Sequence, residues 1–235
     1  MSGQVTVTWL GHAAFRVVSL GDRVILFDPW LDNPKCPPQW KNLDRVDLIL
    51  PTHGHFDHLG NTVELAKKHN AKVVAIYEIS VWLESKGVST VIGANKGGTV
   101  EVDGLRVTMV SADHSSGIAE GGSVVYGGDP VGFVVQLENG FRIYHAGDTN
   151  VFGDMRLIGR LYRPDLALLP IGGHFTMGPL EAAEAIRLLG VSRVIPMHYG
   201  TFPLLAGTPD QLREFTRDIP GLQIYALQPG ESVTF

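Results

Sequence analysis

Cysteine is nearly absent from this chain: Cys36 is the only one in 235 residues. A lone thiol cannot close an internal disulfide, so a core must hold the fold, and the chain reads as one suited to a reducing compartment. Long apolar runs are missing as well. No stretch approaches the roughly 20 consecutive apolar residues of a membrane-spanning helix. The start, Met1-Ser2-Gly3-Gln4, passes into an alternating pattern without the basic and apolar regions of a secretion signal. A soluble, cytoplasmic protein is expected. Concentrated positive charge is the third absence. The formal net charge is −5, and the nearest basic cluster, Arg156, Arg160 and Arg163, falls at helical spacing and reads as a solvated helix face. Polyanion binding demands a dense basic footprint. A nucleic-acid partner is therefore disfavoured, whereas a small-molecule substrate, even an anionic one, needs only one or two of these charges.

The length suits one α/β domain spanning residues 1–235. Gln4–Leu10 alternates apolar and polar residues as a half-buried strand does, and Ala13–Val18 and Val24–Phe27 continue the pattern. The loop from Pro29 to Asn42 carries Trp30 and Trp40. Its length suggests a lid or an interface, and a homo-oligomer contact through it is one expectation. Asn61-Thr62-Val63-Glu64 has the form of a capping box and opens a helix to His69. Lys72–Ile76 reads as a strand and Ile79–Lys86 as a helix closed by Gly87. Asp103-Gly104 and Glu138-Asn139-Gly140 mark two hairpins. Ser115–Asp129, with five glycines, reads as a mobile loop and a candidate lid over the cleft. Helices are expected near Phe152–Tyr162, from Pro179 to Leu189 with Gly190 after it, and from Pro209 to Asp218. Buried strands are expected at Asp165–Leu169 and Val194–Met197, and short ones at Gln223–Ala226 and Ser232–Phe235. Hairpins first and alternating helices and strands later point to stacked sheets with helices outside.

The chemistry concentrates in Thr52-His53-Gly54-His55-Phe56-Asp57-His58. Imidazole nitrogen and carboxylate oxygen suit zinc, iron and manganese, and one ion needs only three or four protein ligands. His53 and His55 can point to one side of an extended segment. Asp57 and His58 then face elsewhere, which suggests a second ion. His114, Asp148 and His198 each follow an apolar strand, as the first cluster does. Four strand ends at one sheet edge would bring all seven side chains to a common cleft.

This order, H-x-H-x-D-H, then a lone His, then Gly-Asp, then a late His, resembles the metallo-β-lactamase-fold hydrolases from Trp9-Leu10-Gly11-His12 to His198-Tyr199-Gly200. Trp9-Leu10-Gly11-His12-Ala13, Ile25-Leu26-Phe27-Asp28-Pro29, His145-Ala146-Gly147-Asp148-Thr149 and Leu169-Pro170-Ile171-Gly172-Gly173-His174 are similar to one branch of that family. That branch is itself similar to ascorbate-6-phosphate lactonases and N-acylphosphatidylethanolamine phospholipases D. The resemblance implies a four-layer αββα sandwich. It also implies a metal held by His53, His55 and His114, a second held by Asp57, His58 and His198, and Asp148 bridging both. Two divalent ions, zinc first with manganese or iron as alternatives, would ready a water for attack on a small ester, lactone or phosphodiester. Asp57 is also a candidate proton acceptor, and His174 a candidate for gripping substrate or protonating a leaving group. Asp28 is a candidate for holding a ligand imidazole from behind, and His12 is either another such supporting group or an ordinary polar group beside the core. His145 is expected to pack rather than react.

A ribonuclease of the tRNA-maturation type is the competing reading. It would want clustered Lys and Arg and an RNA-gripping arm, and neither is visible. Di-iron redox members of the fold carry Glu where His55 stands.

Overall fold

Period-two patterning sorts the side chains of this chain onto two sheets that share one interior. The computed structural model describes residues 4–235. The first half supplies β1 (Thr6–Trp9), β2 (Phe15–Val18), β3 (Val24–Phe27), β4 (Leu48–Leu50), β5 (Lys72–Ile76) and β6 (Val91–Ala94), with α1 (Phe56–Leu59), α2 (Thr62–His69) and α3 (Tyr77–Ser85) between them. The second half supplies β7 (Thr99–Val102), β8 (Leu105–Ser111), β9 (Gly117–Glu120), β10 (Ser123–Tyr126), β11 (Val131–Gln136), β12 (Arg142–His145), α4 (Met155–Tyr162), β13 (Leu166–Pro170), α5 (Pro179–Leu189), β14 (Arg193–Met197), α6 (Pro209–Phe215), β15 (Gln223–Ile224) and β16 (Ser232–Thr234).

One seven-stranded sheet runs β16-β1-β2-β3-β4-β5-β6, and the other runs β15-β14-β13-β12-β11-β8-β7. Each is antiparallel at one side and parallel at the other. Strands β3 to β6 are parallel, as are β12 to β15. Parallel strands need crossovers, and those crossovers lay helices on the outer faces. Along β11 and β13 the alternation is plain. Phe133, Val135, Leu166 and Leu168 join the interior shared with Phe15, Ile25 and Phe27, whereas Val134, Ala167 and Leu169 meet Ala182, Ala183 and Ile186 of α5. Leu65, Ile79 and Leu83 of α2 and α3 cover the first sheet. This is the expected four-layer αββα sandwich in a single domain.

Local signals account for most element ends. The backbone N–H of Gly178 donates to Glu181 Oε2 at 3.0 Å, Pro179 opens α5, and Gly190 closes it at φ 64°. Thr208 and Gln211 cap α6 reciprocally. Other expectations are corrected. The Asn61–Glu64 capping box does not form, because Asn61 Oδ1 accepts from the N–H of Leu31 at 2.9 Å and so anchors the Pro29–Asn42 loop instead. Helix α4 begins at Met155 rather than Phe152. Strand β6 was not foreseen, since Val91-Ile92-Gly93-Ala94 is a short edge segment without alternation. The glycine-rich stretch after His114 is not an irregular loop. It folds as the hairpin β9–β10 around Gly121-Gly122, whose φ values of 57° and 80° suit a two-residue hairpin turn. Both tryptophans of the Pro29–Asn42 loop pack within the chain: Trp30 edge-on to His12 and Phe56, and Trp40 beneath the guanidinium of Arg16. Among the described residues no helix is long and apolar enough to cross a membrane.

Candidate metal centre

Six segment ends meet at one edge of the sandwich. Strand β4 leads through Pro51 and Thr52 into an extended His53-Gly54-His55, and His55 (φ −65°, ψ 148°) then starts the single turn α1. That turn sends Asp57 and His58 away from His55. His114 follows β8, Asp148 follows β12, His198 follows β14, Asp28 follows β3, and His12 lies in the β1–β2 turn. His12, Asp28 and His198 have positive φ, at 54°, 43° and 55°. Non-glycine residues adopt this left-handed backbone at a cost of about 1–3 kcal/mol, and such positions gather where a site needs them. The His198 N–H donates to the His12 carbonyl at 3.0 Å, which ties two of these positions together.

Ligand-type atoms converge in three groups: His53 with His55 and His114, Asp57 with His58, His198 and His12, and Asp148 with His53 and His58, one from each of the other two. Asp148 stands between those two. Its Oδ2 lies 3.2 Å from His58 Nε2, 3.1 Å from His198 Nε2, 3.6 Å from His114 Nε2 and 4.0 Å from His53 Nε2. All seven side chains expected from the sequence are therefore in one place. His58 Nε2, both ring nitrogens of His198 and Asp148 Oδ1 are buried without a hydrogen-bond partner. Buried polar atoms are seldom left so unless a ligand takes them. The nitrogen and carboxylate donor set fits a zinc, iron or manganese ion.

The layer behind these candidate ligands sets their tautomers. Asp28, fully buried, accepts from the Thr52 N–H at 2.7 Å, the Thr52 hydroxyl at 2.8 Å and His58 Nδ1 at 2.7 Å. Since the Thr52 hydroxyl donates to Asp28, it accepts from His53 Nδ1 at 3.0 Å. One carboxylate thus leaves the Nε2 lone pairs of both His53 and His58 facing inward. His12 is arranged similarly, with Nε2 donating to Asp57 Oδ2 at 2.9 Å and Nδ1 facing the Thr201 hydroxyl at 3.0 Å.

Burial lowers the proton affinity of His53, His55 and His114, which favours the neutral form that ligation needs. Burial also takes His12 down to about 4 against the opposing hydrogen bond to Asp57. Around His58 burial acts the same way, but Asp148 and Asp28 outweigh it and raise the ring well above the ordinary range. A field that favours a proton there favours any cation at that nitrogen. Burial alone would raise Asp57 and Asp148. The His12 hydrogen bond holds Asp57 below the usual carboxylate range, and His198 and His58 do the same for Asp148.

Comparison with known proteins agrees with this geometry. The beta-lactamase superfamily domain matches residues 23–199. A UPF0173 metal-dependent hydrolase of Rubrobacter xylanophilus is 52% identical over 99% of this chain and 98% of its own length. One from Methanopyrus kandleri is 51% identical over 96% of this chain and 98% of its own. This chain is a metal-dependent hydrolase of the metallo-β-lactamase superfamily. A solved metallo hydrolase of the archaeon Ignicoccus hospitalis superposes on it with a TM-score of 0.86 at 38% identity, covering 99% of this chain and 98% of that one. The relatives' names stop at the general activity, so the narrower likeness to lactonases and phospholipases rests on the sequence motifs alone.

The hydrolase opens its centre into a cleft of about 670 Å³. His55, Asp57, His114, Asp148 and His198 form its floor, and Phe56, Phe175, Phe202, Leu204 and the β9–β10 hairpin form its walls. The hairpin does lie at the rim, as expected of a lid, but its first strand is fixed from base to tip. The Gly54 N–H donates to Ser116 Oγ at 3.1 Å, Ile118 is buried, and Glu120 accepts from Trp82 Nε1 at 2.9 Å and pairs with Lys86. His174 sits exposed on a left-handed turn (φ 60°) beside Phe175, and Phe175 rather than His174 lines the cleft. His145 packs as expected, stacked 5.0 Å from Phe27 with Nε2 donating to the Ala13 carbonyl. Tyr199 stacks on Trp9. Thr52, Thr201 and the Phe202–Leu204 wall are site residues beyond those expected from the sequence. Thr52 adjoins the first candidate ligand, a signal that could have found it, while the others carry none.

Proposed function

We propose that the hydrolase is dinuclear, and that it cleaves a small ester, lactone or phosphodiester with a water activated between two divalent ions. The observation that supports this best is Asp148 Oδ2, which lies within 4.0 Å of four imidazole nitrogens drawn from both ligand groups. His53, His55 and His114 would hold one ion, Asp57, His58 and His198 the other, and Asp148 both. Ions bound there supply Lewis acidity and bring the pKa of a bound water toward neutrality. Asp28 and Thr52 keep His53 and His58 in the tautomers that ligation needs. His12 holds Asp57 ionised and oriented, so Asp57 retains a proton from the attacking water only in passing. Phe175 and Phe202 shield the floor from bulk water. His174, exposed at its turn, would meet only a substrate that extends beyond Phe175.

The test is removal and restoration of metal. Chelation should abolish cleavage of 4-nitrophenyl acetate, and zinc, manganese or iron should restore it with full recovery near two equivalents. Activity that survives complete chelation would overturn the reading, and full recovery at one equivalent would reduce the centre to one ion.

A further inference from the structure

Large apolar side chains exposed to solvent gather at one mouth of this molecule. Phe56 is 63% exposed, Val124 77%, Phe175 52% and Leu204 55%, and all four line the metal cleft. Solvent-facing apolar groups collected around a concave site mark a surface that an apolar ligand covers. The same wall carries no lysine or arginine among the described residues, and its only charged carboxylates, Asp57 and Asp148, belong to the ligand groups. Away from the metal ions, a charged group on the substrate's arm would ordinarily be met by a guanidinium, an ammonium or a run of backbone N–H groups.

The hairpin that supplies Val124 is built into the site. Gly54, between the first two ligands, lets it approach so closely that a Cβ there would lie 2.7 Å from Ile118 Cγ1. The Phe202–Leu204 segment is fixed in turn, because the Leu205 N–H donates to the Phe202 carbonyl at 3.0 Å and the Gly200 N–H to the Leu205 carbonyl at 2.9 Å. Two anchored apolar segments therefore flank the ligand cluster.

We propose that the cleft takes an uncharged carbonyl substrate with an apolar acyl or aryl arm, and that Val124 and Leu204 read the length of that arm. The assignment rests on the hydrolytic reading above and narrows its substrate to esters and lactones. In the reaction the oxygen of water bonds to the acyl carbon and the acyl C–O bond breaks. The departing alkoxide takes one proton, and the carboxylic acid releases its own to solvent.

The experiment uses the metal-loaded enzyme with 4-nitrophenyl esters from acetate to octanoate and with bis(4-nitrophenyl) phosphate. Binding of the neutral fluorescent probe N-phenyl-1-naphthylamine is measured alongside. Burial of each methylene should raise kcat/KM about two- to fourfold until the arm fills the cleft. The phosphodiester should be cleaved far more slowly than the octanoate. Val124→Ser and Leu204→Ser, both at exposed positions that the fold tolerates, should flatten the chain-length dependence and weaken probe binding severalfold. A flat dependence in the parent enzyme, faster cleavage of the phosphodiester, or probe binding indifferent to both substitutions would overturn the assignment. Probe binding that is sensitive to the variants without cleavage of any ester would sustain the apolar arm and refute the ester and lactone reading of the substrate.

Discussion

Replacing Asp28 by Asn isolates the layer behind the metal ligands. Asn is close to isosteric and tolerates the left-handed backbone that Asp28 adopts at φ 43°. Its amide cannot serve all three donors that Asp28 accepts, namely the Thr52 N–H, the Thr52 hydroxyl and His58 Nδ1. With the amide oxygen on the Thr52 N–H, the NH₂ faces His58 Nδ1 and forces the proton of that ring onto Nε2, the ligating nitrogen. With the amide reversed, two buried N–H groups oppose each other at Thr52, at a cost of about 1–3 kcal/mol. Either arrangement weakens ligation by about the same energy, which corresponds to the 10- to 100-fold loss of metal affinity typical of such supporting groups. Competition with a fluorescent zinc chelator measures it directly. Asp165→Asn is the control, since Asp165 only accepts from the Arg142 N–H far along β12. Metal affinity within twofold of the parent after Asp28→Asn would refute the tautomer argument.

Asp148→Ala should abolish activity and release at least one ion while the circular dichroism spectrum stays native, because the carboxylate joins the two ligand groups and the core lies elsewhere; a metal-replete, active variant would remove it from the centre. Gly54→Ala should lower the melting temperature, because the new methyl would meet Ile118 Cγ1 at 2.7 Å and the Gly117 backbone at 3.3 Å, an overpacking that costs about 1–3 kcal/mol. An unchanged melting temperature would mean the hairpin is not seated on the ligand loop. Burial raises the Cys36 thiol to about 11, so it should react with 5,5′-dithiobis(2-nitrobenzoic acid) at pH 8 far more slowly in the native protein than in urea.

Much of the fold was legible because its signals are local. Asp103-Gly104, Pro179 with Gly190, and Thr208 with Pro209 each fix an element by their own chemistry. The clustering of the candidate ligands was legible because they close strands or follow them by few residues, so that sheet topology alone gathers them. What escaped notice depends on distant partners. Asn61 carries the sequence of a cap, yet its acceptor is used by the N–H of Leu31. The Gly121-Gly122 turn was present in sequence, but its strands are only four residues long and the second is exposed throughout, so the hairpin does not stand out until Ile118 is seen buried beside Gly54. His12 could not be separated from an ordinary core histidine before Asp57, 45 residues away, came within 2.9 Å of it. The apolar wall at Phe202–Leu204 lies in a turn with no periodicity, and only the closed sandwich brings it to the cleft.

The central claim is a two-ion centre built from seven side chains. Elemental analysis of the gently purified protein tests it most directly, read beside the same measurement on Asp148→Ala. Close to two transition-metal ions per parent chain are expected, and no more than one in the variant. Less than half an ion per parent chain would contradict it.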